Sequence, residues 1–147
     1  MKRLVPIMAV LIALCACGSE PSAPPRPAAT GAFVRLAALP DRPAAGYFEL
    51  VAEGDPGALV SVTSPQAGRI EMHESMTNGN MTSMRPLARL PVRPGERLSF
   101  APGGRHLMLY DLAPAVRPGG EIALVLHFER GPDRPLSARV EAAGGPD

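Results

Sequence analysis

The apolar residues of this chain fall into short runs separated by proline and glycine, and the spacing of an amphipathic helix is hard to find. Prolines recur every few residues from Pro40 to Pro135, and each would end or kink a helix. Short runs of strand composition between turn residues favour an all-β sandwich or barrel of seven to nine short strands with little helix. The predicted strands are Ala32–Ala37, Gly46–Ala52, Ala58–Ser64, Arg69–Met76, Met81–Leu87, Arg97–Phe100, His106–Leu112, Ile122–Phe128 and Leu136–Val140.

One predicted turn brings a histidine and a methionine together. The stretch Thr77–Asn80 contains Asn78 and Gly79, and Asn-Gly is the preferred centre of a two-residue type I′ hairpin. With these two residues as the loop, His73 directly faces Met84, and facing residues have Cβ atoms roughly 4.5–5.5 Å apart on one face of the sheet. A slip of one residue would put the two side chains on opposite faces.

A second histidine–methionine pair lies farther along the chain. His106 and Met108 are two residues apart on a predicted strand, so both project from one face. With His73 and Met84 they form the pattern His-x10-Met-x21-His-x-Met. Thioether sulfur is soft and uncharged and suits Cu(I), and imidazole also accepts copper. These four residues are therefore candidate copper ligands, although the spacing alone equally allows structural histidines and core methionines.

The other methionines of the hairpin, and the third histidine, are expected to be structural. Met72, Met76 and Met81 would share the opposite face of the hairpin, with Met76 facing Met81, as core or flanking apolar residues. An auxiliary soft-metal site at Met76 and Met81 stays open because both lie near the loop tip. His127 is alone on its strand and is expected to be a structural or surface residue.

The first residues indicate export. Lys2 and Arg3 precede the apolar run Val5–Leu14, which is too short to span a bilayer, since a spanning helix needs about 20 residues. It fits the apolar region of a secretory signal peptide. Ala16 followed by Cys17 resembles the lipobox of bacterial lipoproteins, which makes Cys17 the predicted lipidation site. A plain signal peptide with an incidental cysteine is the alternative.

Composition then divides the rest of the chain. The stretch 18–30 is rich in proline, alanine and serine without apolar periodicity, as in an extended tether. We therefore expect a lipoprotein signal peptide at 1–16, a lipidated cysteine and proline-rich tether at 17–30, one folded domain at 31–143 and a flexible tail at 144–147.

Cysteine content and charge exclude several classes of site. Both cysteines lie in or at the end of the predicted leader, so the folded part can form no disulfide, thiolate zinc site or cysteine nucleophile. Methionine is then the available soft ligand. Removing Lys2 and Arg3 from the 15 basic residues leaves 13 against 14 acidic ones, a formal charge of −1. The scattered arginines form no basic patch, and nucleic-acid binding is not expected.

These residues carry a family resemblance. The segment Arg69–Met84 with its following Arg-Pro, and the segment Phe100–Leu109, resemble the periplasmic PCuAC copper chaperones. The signature of that family is His-x10-Met-x21-His-x-Met, and this chain matches both intervals and all four ligand types. The resemblance extends from about Phe33 to Val140.

The resemblance implies a cupredoxin-like Greek-key β-sandwich or barrel that binds one Cu(I) through His73, Met84, His106 and Met108. It also implies delivery of copper in the cell envelope to an acceptor, either the oxidase subunit that carries the CuA centre of cytochrome c oxidase or an accessory copper chaperone. We expect a periplasmic, lipid-anchored monomer without enzymatic activity. The absence of an aspartate after Cys17 weakly favours the outer membrane.

Three other functions remain open from the sequence. The first is copper buffering or resistance without a dedicated acceptor. The second is a copper oxidoreductase or a metal-dependent hydrolase, since Glu71 and Glu74 flank His73, but no third histidine or carboxylate has a convincing spacing for an open catalytic site. The third is a metal-free interaction lipoprotein.

Overall fold

A computed structural model describes residues 28–145, and these residues form ten strands without a helix. The leader at 1–16, Cys17, most of the tether and the last two residues of the tail lie outside the described residues. The first strand begins three residues ahead of the predicted domain start at Gly31. The strands are β1 Ala28–Arg35, β2 Ala44–Val51, β3 Gly57–Thr63, β4 Ala67–Asn78, β5 Met81–Pro86, β6 Leu90–Val92, β7 Arg97–Phe100, β8 Arg105–Leu112, β9 Glu121–Phe128 and β10 Arg134–Glu141.

The all-β prediction is confirmed, but the predicted number of seven to nine strands is too low. Each of the nine predicted runs corresponds to a strand, and the tenth strand is β6. Only three residues long, β6 has Pro91 at its centre, and proline normally argues against a strand. Because β6 lies at one end of the sheet, the proline is tolerated there, while Leu90 and Val92 are buried.

All ten strands belong to one sheet, in the order β5-β4-β8-β7-β2-β1-β10-β9-β3-β6. Most neighbours are antiparallel; β1–β10 and β7–β8 are parallel. β8 also pairs with β2, and β3 contacts β4 although the two lie toward opposite ends of the order. The sheet therefore curls over onto itself and stays open, with β5 and β6 as its two edges. A sandwich describes it better than a closed barrel.

The core lies inside this curled sheet and consists mainly of aliphatic residues, with Met72, Phe128 and a stacked pair of phenylalanines. The rings of Phe48 and Phe100 lie 4.3 Å apart between centroids. On β8, Leu107 and Leu109 point into the core, so the alternate residues of that strand point away from it. Gly46 on β2 permits this packing, because a Cβ there would lie 3.1 Å from Cβ of Leu107 and 3.0 Å from Cδ1 of Leu109.

No helix within residues 28–145 combines the length and apolarity that crossing a bilayer would require.

Candidate metal centre

The hairpin that carries Met84 has a different register from the predicted one. Its loop residues are Gly79 and Asn80, and Gly79 has φ +62°, which matches the first loop position of a type II′ turn. Ser75 therefore faces Met84, and the prediction that His73 directly faces Met84 is wrong. The shift is two residues, so His73 and Met84 remain on the same face as diagonal neighbours.

The same shift changes the predicted pairing of the other two hairpin methionines. Met81 faces Asn78, and Met76 faces Ser83, so Met76 and Met81 do not face each other. They still share a face, opposite to that of Met84, and both are exposed, whereas Met72 is buried in the core as expected.

The two histidines meet across the next strand pair. β4 and β8 are antiparallel, and His73 is the direct partner of His106, with ring centroids 6.0 Å apart. Met108 lies two residues beyond His106 on the same face and is opposite Glu71. One face of β5, β4 and β8 thus presents all four sequence-predicted ligands, Met84 on β5, His73 on β4, and His106 and Met108 on β8.

One nitrogen of each imidazole lies within hydrogen-bond distance of an oxygen atom. Nε2 of His73 is 3.0 Å from Oε2 of Glu71, and Nδ1 of His106 is 3.0 Å from the carbonyl oxygen of Gly104. Both oxygens are acceptors, so these nitrogens carry the protons, leaving the lone pair on Nδ1 of His73 and Nε2 of His106. Nδ1 of His73 is buried without a hydrogen-bond partner among the described residues. Histidines that bind a metal almost always donate a hydrogen bond from their second ring N–H in this way.

Glu71 connects the histidine half of the site to the methionine half. Besides His73, its carboxylate accepts from the Tyr110 hydroxyl at 3.3 Å and lies 3.2 Å from Nε of Arg69. The same hydroxyl is 3.8 Å from Sδ of Met108, and the Arg69 guanidinium lies 4.2 Å from the Tyr110 ring centroid. The hydrogen bond from His73, with the Arg69 charge and the Tyr110 hydroxyl, lowers the pKa of Glu71 below its usual range.

Sequence reasoning missed Tyr110 and this linking role of Glu71. Period-two spacing on each strand could have found them, because Tyr110 follows Met108 by two positions and Glu71 precedes His73 by two.

The candidate histidines are mostly buried and one candidate methionine is exposed, so the site is open on one side. His106 is 8% exposed, and the His73 side chain is 15% exposed. Met108 is half-buried, whereas Met84 is 59% exposed. The imidazoles therefore form the floor of the site, and Met84 stands at its rim on the edge strand.

The donor set favours a soft metal. Within the described residues, no group of three or more histidine, cysteine, aspartate or glutamate side chains could hold a metal ion. Beyond these two imidazoles, the same face offers the thioethers of Met84 and Met108 and the Glu71 carboxylate, which already accepts from His73. A zinc or magnesium centre, and with it the metal-dependent hydrolase, is correspondingly disfavoured by the ligands available here.

His127 lies on β9, which carries none of the candidate ligands, and both its ring nitrogens have protein partners. Nε2 is 2.8 Å from Oγ1 of Thr63, and Nδ1 is 2.9 Å from Oδ2 of Asp133. This arrangement agrees with the structural role expected for this histidine.

One family model and a curated relative match this chain in sequence. The family described as "Putative lipoprotein LpqE-like" matches residues 27–140. "Putative lipoprotein Lxx21020" of Leifsonia xyli subsp. xyli is 32% identical over 88 residues, which are 59% of this chain and 53% of that protein. The chain thus spans about half the length of the curated relatives it matches.

Two solved structures resemble the chain over most of its length. The copper-bound PCuAC domain from PmoF2 is 24% identical with a TM-score of 0.60, covering 78% of this chain and 91% of that domain. The solution structure of Cu(I)-DR1885 from Deinococcus radiodurans is 25% identical with a TM-score of 0.59, covering 82% and 80%. The fold of this chain is therefore the fold of PCuAC domains.

Proposed function

The chain belongs to the LpqE-like family, and we propose that it is a copper-binding lipoprotein of the bacterial cell envelope. It carries Cu(I) and passes it to an acceptor protein. Cu(I) is the cargo, and the proposed ligands are His73, Met84, His106 and Met108. The two structurally similar proteins hold copper, one of them as Cu(I), which supports this choice of metal.

The observation that carries the proposal is the pairing of the two imidazoles. His73 and His106 are direct cross-strand partners, and each donates a hydrogen bond from one ring N–H to an oxygen of the protein. The buried Nδ1 of His73 has no partner within the described chain, and leaving a buried polar atom unsatisfied costs free energy. A metal ion bound at Nδ1 would remove that cost. The thioether of Met108, two residues from His106 on the same face, supplies the soft donor that distinguishes Cu(I) from harder cations.

The same arrangement suits transfer better than permanent storage. Two imidazoles and two thioethers are all neutral, so they place no negative charge on Cu(I), unlike a dithiolate site. Met84 is exposed on an edge strand, where a cysteine or histidine of an acceptor could replace it before the buried imidazoles release the ion. This geometry supports transfer by stepwise ligand exchange.

We also propose an acceptor and a location for the chain, both inferred from the sequence. The acceptor is the oxidase subunit with the CuA centre or an accessory copper chaperone, and the chain is anchored through lipid on Cys17 in the periplasm, on the outer membrane by weak preference, as a monomer. Membership of a lipoprotein family supports the anchor.

Competition with a chromophoric Cu(I) chelator tests the ligand set. Met84→Leu and Met108→Leu should each weaken Cu(I) binding by more than about tenfold, since even the loss of an outer partner of a metal ligand typically costs roughly 10- to 100-fold. Met81→Leu is the matched control, because Met81 lies on the same strand and is more exposed, yet points to the other face. Equal affinities for all four proteins would overturn the proposed site.

Transfer is distinguished from buffering by mixing the Cu(I)-loaded protein with an apo CuA-domain acceptor. If the protein is a chaperone, it should load the acceptor faster than a Cu(I)–chelator complex does at the same concentration of free Cu(I). Equal rates would favour a buffer. Turnover of peroxide or redox dyes by the copper-loaded protein would instead revive the oxidoreductase alternative.

A further inference from the structure

The strand that carries Met84 is weakly held. Within residues 28–145, β5 is an edge of the sheet with β4 as its one strand partner, and all six of its residues are exposed. A two-stranded ribbon without a buried face has little intrinsic stability in water. Something other than burial has to fix the position of Met84 relative to His73.

One carboxylate makes the ionic contacts that join this strand to the rest of the site. Glu74 is the direct cross-strand partner of Arg85 on β5 and of Arg105 on β8. Its Oε2 accepts from Nη2 of Arg85 at 2.6 Å and from Nε at 3.0 Å, and its Oε1 lies 3.4 Å from Nε of Arg105. The Glu74 side chain is 20% exposed and the Arg85 side chain 61%, so the carboxylate is the more shielded member of this pair.

Each member of this triad is the sequence neighbour of a candidate ligand. Glu74 follows His73, Arg85 follows Met84, and Arg105 precedes His106. Neighbouring residues on a strand point to opposite faces, so the triad lies behind the site and crosses the same three strands at the same level. Fixing the triad therefore fixes the register of the ligands on the other face.

We propose that Glu74 is a positioning residue of the copper site, which holds Met84 in place by clamping Arg85 on β5 and Arg105 on β8 to β4. This inference rests on the proposed Cu(I) function. Glu74 does not contact the metal, and its effect on binding passes through the position of β5.

A double-mutant cycle between Glu74 and Met84 tests the proposal, with Cu(I) affinity measured by chelator competition. Glu74→Gln should weaken binding by about tenfold in the otherwise unchanged protein, the lower end of what outer partners of metal ligands typically contribute. It should have no further effect in a protein that already carries Met84→Leu. X-ray absorption of the Cu(I)-loaded Glu74→Gln protein should show one sulfur ligand in place of two.

Two further variants separate positioning from general stability. Arg85→Gln removes the same clamp from a side chain that is 61% exposed, so it should reproduce the affinity loss with little change in melting temperature. Glu49→Gln is the matched control, since it breaks another cross-strand glutamate–arginine pair, with Arg97, on strands that carry none of the four ligands. It should leave Cu(I) affinity unchanged.

The outcomes distinguish this inference from the proposed function. Equal weakening by Glu74→Gln with and without Met84→Leu overturns the positioning role, because the effect then does not pass through Met84. If Met84→Leu weakens binding and Glu74→Gln does not, the positioning role fails and the ligand set stands. If Met84→Leu has no effect, the ligand set fails and the role of Glu74 fails with it.

Discussion

At the scale of single residues, the site depends on which nitrogen of each imidazole carries the proton. Glu71 sets this for His73, and the carbonyl group of Gly104 sets it for His106. The Gly104 oxygen also accepts the backbone N–H of Ser75 at 3.1 Å, so the turn before β8 is tied to β4 beside the site. The protons are therefore directed away from the position that a metal would take.

Removing the acceptor of His73 should weaken copper binding. In Glu71→Ala, Nε2 loses its partner and the Tyr110 hydroxyl loses one acceptor, so the orientation of both halves relaxes. We expect a loss of Cu(I) affinity of roughly 10- to 100-fold, as for other outer partners of metal ligands. Chelator competition measures it, with the exposed Glu53→Ala as control. Unchanged affinity in Glu71→Ala would show that the carboxylate has no orienting role.

A pH effect is expected away from the site, at Asp55. The hydrogen bond from Arg130, at 2.7 Å, lowers the pKa of Asp55 below its ordinary value. A depressed folded-state pKa contributes stability above the unfolded pKa, and this stability is lost as the pH falls through the folded pKa. Carboxyl NMR titration should therefore find Asp55 ionised below the ordinary aspartate range, and Arg130→Gln should raise its pKa. A titration of Asp55 that does not respond to Arg130→Gln would contradict this assignment.

At the scale of elements, the sequence predicted the turn of the β4–β5 hairpin but not its register. The Asn-Gly signal located the turn, and the two-residue period placed His73 and Met84 on one face. The register was missed because a glycine followed by asparagine can equally start a type II′ turn, and local sequence does not decide between these loops. The strand β6 was missed because three residues around a proline carry too little pattern.

The turn requires a positive φ at Gly79, and a substitution can test this. Its φ of +62° is unfavourable for a residue with a Cβ, although no atom would lie within 4 Å of that Cβ. Gly79→Ala should therefore destabilise the hairpin through backbone strain, by about 1–2 kcal/mol. Amide hydrogen exchange of β4 and β5 measures the local loss, and Asn80→Ala is the control, since Asn80 has no positive φ. Equal exchange in the two variants would contradict the II′ assignment.

At the scale of the whole molecule, the core residues and the candidate ligands lie on different faces of the sheet. The core lies on one side of β8 and the candidate ligands on the other, so the same strand serves both. The sequence predicted nine of the ten strands and the shared face within each histidine–methionine pair. It could not show that the pairs meet, because the partnership of β4 with β8 is set by packing between segments about 30 residues apart.

Core and site should respond differently to mutation. Leu107 is fully buried and lies between the candidate ligands His106 and Met108 in sequence. Leu107→Ala should cost about 2–5 kcal/mol of unfolding free energy by leaving a cavity. Met108→Leu should change that free energy by less than about 1.5 kcal/mol, because the two side chains have similar volume. Chemical denaturation of the apo protein compares them. A Met108→Leu protein as unstable as Leu107→Ala would show that Met108 serves the fold.

X-ray absorption spectroscopy of the Cu(I)-loaded domain shows whether the imidazoles and thioethers share one Cu(I) ion. Two nitrogen and two sulfur ligands are predicted, with one sulfur lost in Met84→Leu and in Met108→Leu. A shell made of nitrogen ligands alone, or one that neither substitution changes, would contradict a shared site of imidazoles and thioethers.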